Sequence, residues 1–147
     1  ITFHYESSFH TDRLINLVKR SGAKVGVALN PATSLSVLDY ILPQCDSILL
    51  MLINPGFATD KGEKQVSYAD KKVKDLSELI RKNNLDVKIQ VDGRVSLETI
   101  PKLVSAGADS LVVGSTSLFI PGNTISENKK LLDISISEGL KGGNFNG

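Results

Sequence analysis

Short apolar segments alternate with amphipathic ones along the whole chain, and that alternation restricts the fold more than any other feature. Residues 1–5 are apolar and β-prone, and residues 24–29 (KVGVAL), 46–53 (DSILLMLI), 86–91 (DVKIQV) and 110–113 (SLVV) read as four further strands. Between them, residues 11–20 carry Leu14, Ile15, Leu17 and Val18 on one helical face. Thr33 can cap a helix over 35–42 that Pro43 stops. Val66, Ala69, Val73, Leu76 and Ile80 mark a long helix from about Gln65 to Lys82. A short helix lies within 96–106, where Pro101 fits only the first turns, and Thr124 can cap a last helix through about Ser137. Gly139, Gly142, Gly143 and Gly147 then predict fraying, so the expected division is a domain over 1–138 and a flexible tail over 139–147.

The segment DSILLMLI is almost continuously apolar, as strands buried on both faces are. Two helix-to-strand links repeat a small pattern, Ser-Gly-Ala at 21–23 and Ala-Gly-Ala at 106–108. Repeated βα units imply a parallel sheet with right-handed crossovers. Two architectures satisfy that: an open doubly wound sheet, or a (β/α)₈ barrel, which needs eight units and about 250 residues. This chain supplies five units in 147 residues.

Composition removes several classes of function. With 17 basic and 16 acidic residues, the chain lacks the electrostatic footprint of a dedicated nucleic-acid binder. No apolar run approaches the ~20 residues of a membrane helix, and no charged-then-apolar leader opens the chain. The single cysteine, Cys45, excludes an intrachain disulfide and favours a reducing, cytoplasmic setting.

In a barrel, reactive groups lie at the C-terminal ends of the strands. That rule selects His4, Tyr5 and Glu6; Asn30-Pro31; Asn54 to Phe57, with Met51 facing the mouth from inside; Asp92-Gly93-Arg94; and Gly114-Ser115. A lone histidine such as His4 is more often a half-buried structural residue than a ligand, and Asp-Gly is a common turn. Their functional readings are a metal or substrate contact for His4 and an acid/base carboxylate or metal ligand for Asp92. Gly114-Ser115-Thr116 offers N–H groups and hydroxyls suited to phosphate, or is a plain turn. His10, at a helix start, Glu6, Lys61, Lys64 and the run 70–75 read as solvated surface, and Met51 as core filler by default.

Five segments taken together resemble a known family. LNPAT (29–33), LLMLINPGF (49–57), VDGRV (91–95) and AGADSLVVGSTSLF (106–119), with ITFHYES (1–7), are similar in order and spacing to ribulose-phosphate 3-epimerases and their hexulose 6-phosphate relatives. The resemblance implies a (β/α)₈ barrel of which this chain is the C-terminal part, strands four to eight. It implies an isomerase of the pentose phosphate pathway that inverts C3 of a ketose phosphate, D-ribulose 5-phosphate to D-xylulose 5-phosphate. Two aspartates would act on opposite faces, through an enediolate stabilised by a divalent metal, zinc first and iron, manganese or cobalt as alternates. By the same resemblance, His4 and Asp92 are metal ligands, and Asp92 is the catalytic proton donor. Substrate contacts fall on His4, Met51, Gly56, Phe57, Ala58, Thr59, Gly93, Arg94, Gly114 and Ser115. The partner is a small ketose phosphate rather than nucleic acid or membrane, with homo-oligomer formation left open.

Three departures accompany the resemblance. The remaining ligands and the proton-abstracting aspartate belong to a family strand not contained in this sequence, so these residues alone are expected to be inactive. Ala58-Thr59 stands where the family has Gly-Gly, and Arg94 replaces the second glycine of Asp-Gly-Gly. Arg94 either adds a phosphate contact or crowds the cradle, which leaves a hexulose 6-phosphate substrate as an alternative. Two other readings compete: a decarboxylase or lyase on a phosphate-binding barrel, disfavoured because no lysine stands at a strand end, and a non-catalytic phosphate-binding relative.

Overall fold

A computed structural model describes residues 1–57, 59–60 and 62–143. Five strands, β1 (Thr2–His4), β2 (Gly26–Leu29), β3 (Ser47–Met51), β4 (Lys88–Asp92) and β5 (Ser110–Leu111), form one parallel sheet in chain order. Four α-helices intervene or follow: α1 (Thr11–Arg20), α2 (Ala69–Lys82), α3 (Ile100–Ser105) and α4 (Ile125–Gly142). Sequential order with every pair parallel is the winding of a barrel wall. A doubly wound sheet reverses its strand order at a switch point, and this sheet does not.

The two faces of the sheet differ sharply. Gly26 is the marker for one face, because a Cβ there would lie 2.4 Å from Thr2 Oγ1 and 2.8 Å from Ser47 Oγ. Alternation then puts His4, Ala28, Leu49, Met51, Gln90 and Asp92 on that same face. Val27, Leu29, Ile48, Leu50 and Val91 point the other way and are all 0% exposed. They pack with Ile15, Val73, Leu76, Ile100 and Leu103 from the helices into the core. Each of these fully buried aliphatic side chains stabilises the fold by roughly 1.5–3 kcal/mol. The expectation that 46–53 is buried on both faces holds for only one of them. Burial alternates along β3, with Leu49 and Met51 half-buried on the face opposite the helices.

The helical expectations hold with local corrections. Val73, Leu76 and Ile80 are buried on α2 as their spacing predicts, but the helix begins at Ala69 rather than near Gln65. On α1 the buried stripe is Thr11, Ile15 and Val18, and Leu17 is exposed. The expected helix over 35–42 is instead two 3-10 turns, Leu35–Leu38 and Leu42–Gln44. Ser34, not Thr33, caps the first turn by accepting from Ser36 N, and Pro43 sits inside the second turn rather than stopping a helix. Pro101 does occupy the first turn of α3. Thr124 does cap α4, in a reciprocal capping box with Glu127. That helix runs past the expected end at Ser137 to Gly142, and Gly139 is buried within it. Residues 144–147 of the expected tail lie outside the described residues. No described helix is long and apolar enough to cross a membrane.

Candidate active site at the C-terminal ends of the strands

Parallel strands deliver their last residues to one rim. Met51 and Asp92 are register partners at the ends of β3 and β4, and Leu52 N donates to Asp92 O at 2.7 Å. The predicted methionine and aspartate are therefore neighbours on the same face of the sheet. Gly93 follows with φ +116°, where a Cβ would lie 2.8 Å from Ile53 Cγ1 and 2.9 Å from Ile53 N, so only glycine fits the turn after Asp92.

The loop after β3 is tied down at its base. Glu63 Oε1 accepts from Asn54 N at 2.9 Å and from Asn54 Nδ2 at 3.1 Å. Gly56 takes φ +92°, Phe57 is 56% exposed, and Thr59 is exposed. Ala58, a predicted contact residue, and Lys61 lie outside the described residues. Gln65 Nε2 then donates to both Gly93 O and Arg94 O, at 2.9 and 3.0 Å. Arg94, at φ +50°, sends Nη2 to Asp60 O at 2.6 Å. The guanidinium thus braces the loop after β3 against the turn after Asp92.

Gly114 and Ser115 open a single turn after β5, and Gly114 O accepts from Ser117 N, Leu118 N and Phe119 N. Gly114 N–H donates to Ser117 Oγ at 3.3 Å, while Ser115 is exposed. Thr116 Oγ1 donates to Val95 O at 2.7 Å, which fastens this turn beside the one after Asp92.

His4 ends β1, three strand positions away from β4. At about 4.8 Å per strand, His4 and Asp92 start ~14 Å apart along the sheet. Imidazole and carboxylate are the right donor types for a zinc-like cation, but two donors fall short of four-coordination. Among the described residues, no group of three or more such side chains could hold a metal ion.

Beside His4 lies a polar cluster that the strand-end rule touched but undervalued. Glu6, read from the sequence as solvated surface, accepts at Oε1 from Asn30 N (3.0 Å) and from Thr33 Oγ1. Its Oε2 lies 3.4 Å from His4 Nδ1. Partial burial works against the Glu6 carboxylate, but these hydrogen bonds from Thr33, Asn30 and His4 outweigh it and hold its pKa below the ordinary value. Lys72, also read as surface, reaches from α2 to donate to Asn30 O, Pro31 O and Thr33 O at 2.9, 2.8 and 2.7 Å. Burial pushes the Lys72 pKa down, and the charge of Glu6 opposes that shift. Asn30 Oδ1 is buried without a hydrogen-bond partner among the described residues. Alternating charge on an exposed-looking helix gave no sign of Lys72's reach. Asn-Pro-Ala-Thr at a strand end was the available clue for Asn30 and Thr33.

Comparison with known proteins fits this geometry. The chain is 39% identical over 138 residues to a ribulose-phosphate 3-epimerase of Escherichia coli (strain K12), covering 94% of this chain and 58% of that protein. It is 45% identical over 115 residues to one of Methanocaldococcus jannaschii, covering 78% of this chain and 48% of that protein. The chain thus spans about half the length of such relatives. In structure it resembles 3-hexulose-6-phosphate synthase from Salmonella typhimurium, with a TM-score of 0.60 and 18% identity over 93% of this chain and 61% of that one. That likeness speaks for the barrel fold alone. Residues 1–119, which carry all five strands and every strand-end residue described above, match the profile of the ribulose-phosphate 3 epimerase family, and the chain belongs to that family.

Proposed function

We propose that the complete eight-stranded barrel to which these five units correspond inverts C3 of a ketose phosphate, taking D-ribulose 5-phosphate to D-xylulose 5-phosphate. The observation that carries the reading is the rim itself. Asp92 stands at a strand end beside Met51, in a chain whose relatives are ribulose-phosphate 3-epimerases. Inversion next to a ketone needs a proton removed from one face and returned on the other, so it needs two acid/base groups. Asp92 is one of them, and the other comes from strands outside this chain. The half-buried Met51 lays an apolar surface next to the Asp92 carboxylate, which limits water around the proton it carries.

A divalent cation, zinc by resemblance, would be held by Asp92 and His4 with ligands from outside this chain, and would stabilise negative charge on the ketone oxygen. The phosphate is bound by backbone N–H groups at Gly93 and Ser115, on turns fastened together through Thr116 and Val95. Gly114 shapes that turn through its carbonyl. Gly56, Phe57 and Thr59 border the substrate from the loop after β3, and Ala58 belongs to the same loop. Arg94 braces that loop through Asp60 O and stands among the residues proposed to meet the substrate.

The test is solvent exchange. In D₂O, the complete barrel with metal supplied should wash deuterium into C3 of D-ribulose 5-phosphate, and Asp92→Asn should lower that rate by about 10²–10⁴-fold while the fold melts as before. No exchange with either the pentulose or a hexulose phosphate rejects the reading. Undiminished exchange in Asp92→Asn removes Asp92 from the mechanism.

A further inference from the structure

We infer that Glu6 is a positioning residue that sets the orientation and tautomer of His4 at the mouth of the barrel. Three observations support this. First, Glu6 is immobilised: one carboxylate oxygen is held by a backbone N–H and a hydroxyl of the β2 loop, Asn30 and Thr33. Secondly, that loop is itself pinned, because Lys72 Nζ binds three of its carbonyls. Thirdly, the remaining oxygen of Glu6 stands 3.4 Å from His4 Nδ1. A fixed carboxylate accepts and cannot donate, so a neutral His4 ring keeps its proton on Nδ1 and presents an unprotonated Nε2 on the far side of the ring. His4 lies on the face of the sheet that carries Met51 and Asp92, so the free lone pair belongs to the substrate side. An acceptor there takes a hydroxyl of the sugar or a cation. An Nε2–H would take neither.

The glutamate therefore does two jobs that substitution can separate. In Glu6→Gln, the amide oxygen still accepts from Asn30 N and Thr33 Oγ1, so the loop stays tied. The amide NH₂ now faces His4 Nδ1 and donates to it, which drives the ring to the Nε2–H tautomer. Thr33→Val does the reverse: it loosens the loop and leaves the Oε2–Nδ1 contact in place.

The measurement is the ¹⁵N spectrum of the histidine rings of the complete barrel stripped of metal at about pH 8.5, above the usual imidazole range, alongside kcat and KM for D-ribulose 5-phosphate with metal supplied. Wild type and Thr33→Val should show His4 protonated on Nδ1, and Glu6→Gln should show it protonated on Nε2. Turnover (kcat/KM) of Glu6→Gln should fall by about 10–100-fold, with the thermal midpoint nearer to wild type than that of Thr33→Val. A His4 tautomer that is the same in wild type and Glu6→Gln overturns the assignment. So does a tautomer that changes while kcat/KM does not. The assignment rests on the epimerase reading only for its link to turnover. A wild-type barrel without exchange at C3 rejects that reading, whereas the tautomer decides the role of Glu6.

Discussion

At the residue scale, the cluster around Glu6 shows how much a single carboxylate can organise when its partners are backbone groups. Asn30 N and Thr33 Oγ1 belong to one loop, His4 to the end of β1, and Lys72 to a helix. Ionised Glu6 is the form these donors stabilise. Its folded pKa lies below the ordinary value of 4.5, so its contribution is fully present above that pH and is lost as pH falls through the folded value. Thermal midpoints of wild type and Glu6→Gln should differ most near neutrality and converge in acid, below about pH 4.5. A difference that stays constant through the acid range would argue that the charge of Glu6 contributes nothing. Cys45, by contrast, is plain core: burial pushes its thiol up to about 11, and it donates to Ile41 O at 3.3 Å.

At the scale of elements, α3 and α4 approach through a glycine. A Cβ at Gly139 would lie 2.7 Å from Val104 Cβ and 2.8 Å from Pro101 O, and a helix backbone oxygen cannot move aside. Two effects of Gly139→Ala oppose each other. Helix propensity improves by about 0.8–1.0 kcal/mol, while overpacking costs about 1–3 kcal/mol. The expected net result is destabilisation, read as a lower urea midpoint at unchanged slope, and a raised midpoint would mean that the helices separate freely. The same glycine marks where the sequence misleads. Clustered glycines suggested a frayed tail, because a pattern of residue types cannot tell a flexible glycine from one that admits a neighbouring helix. Strands were legible as short apolar runs and the long helix by its repeat: Val27, Leu29, Ile48 and Leu50 are buried within those runs, and Val73 and Leu76 fall where the 3.6-residue period puts them. The segment after Asn30 was not legible, since Ser34 and Thr33 are equally good caps by type. The choice between them was made by Glu6, which takes Thr33 from another loop.

For the molecule as a whole, the sheet is held from one side. Its helix-facing side chains on β2, β3 and β4 are buried, and His4, Met51 and Asp92 lie on the opposite face. The central strands β2, β3 and β4 each have two hydrogen-bonded neighbours, while β1 and β5 have one within this chain. Amide hydrogen exchange of this chain should therefore be slowest at Val27, Leu50 and Val91 and fastest within the two residues of β5. Uniform protection across all five strands would contradict that gradient. Placement was legible as far as topology reaches: the strand-end rule put His4, Met51, Asp92, Gly93 and Gly114 at one rim, where the sheet carries them. Lys72 and Gln65 were invisible, and Thr116 was read as a phosphate donor rather than a brace, because each reaches across to a carbonyl far away in sequence and residue type carries no trace of such a reach.

Gln65 has a consequence for how such barrels diversify. One amide group grips the two carbonyls immediately after Asp92, and Glu63 closes the loop onto Asn54 just upstream. The turn after Asp92 is thus tied to the stem of the loop through Gln65 and, through Arg94, to Asp60 O, a backbone atom that every residue type supplies. Side chains at Thr59 and Asp60 can therefore change without cutting either tie.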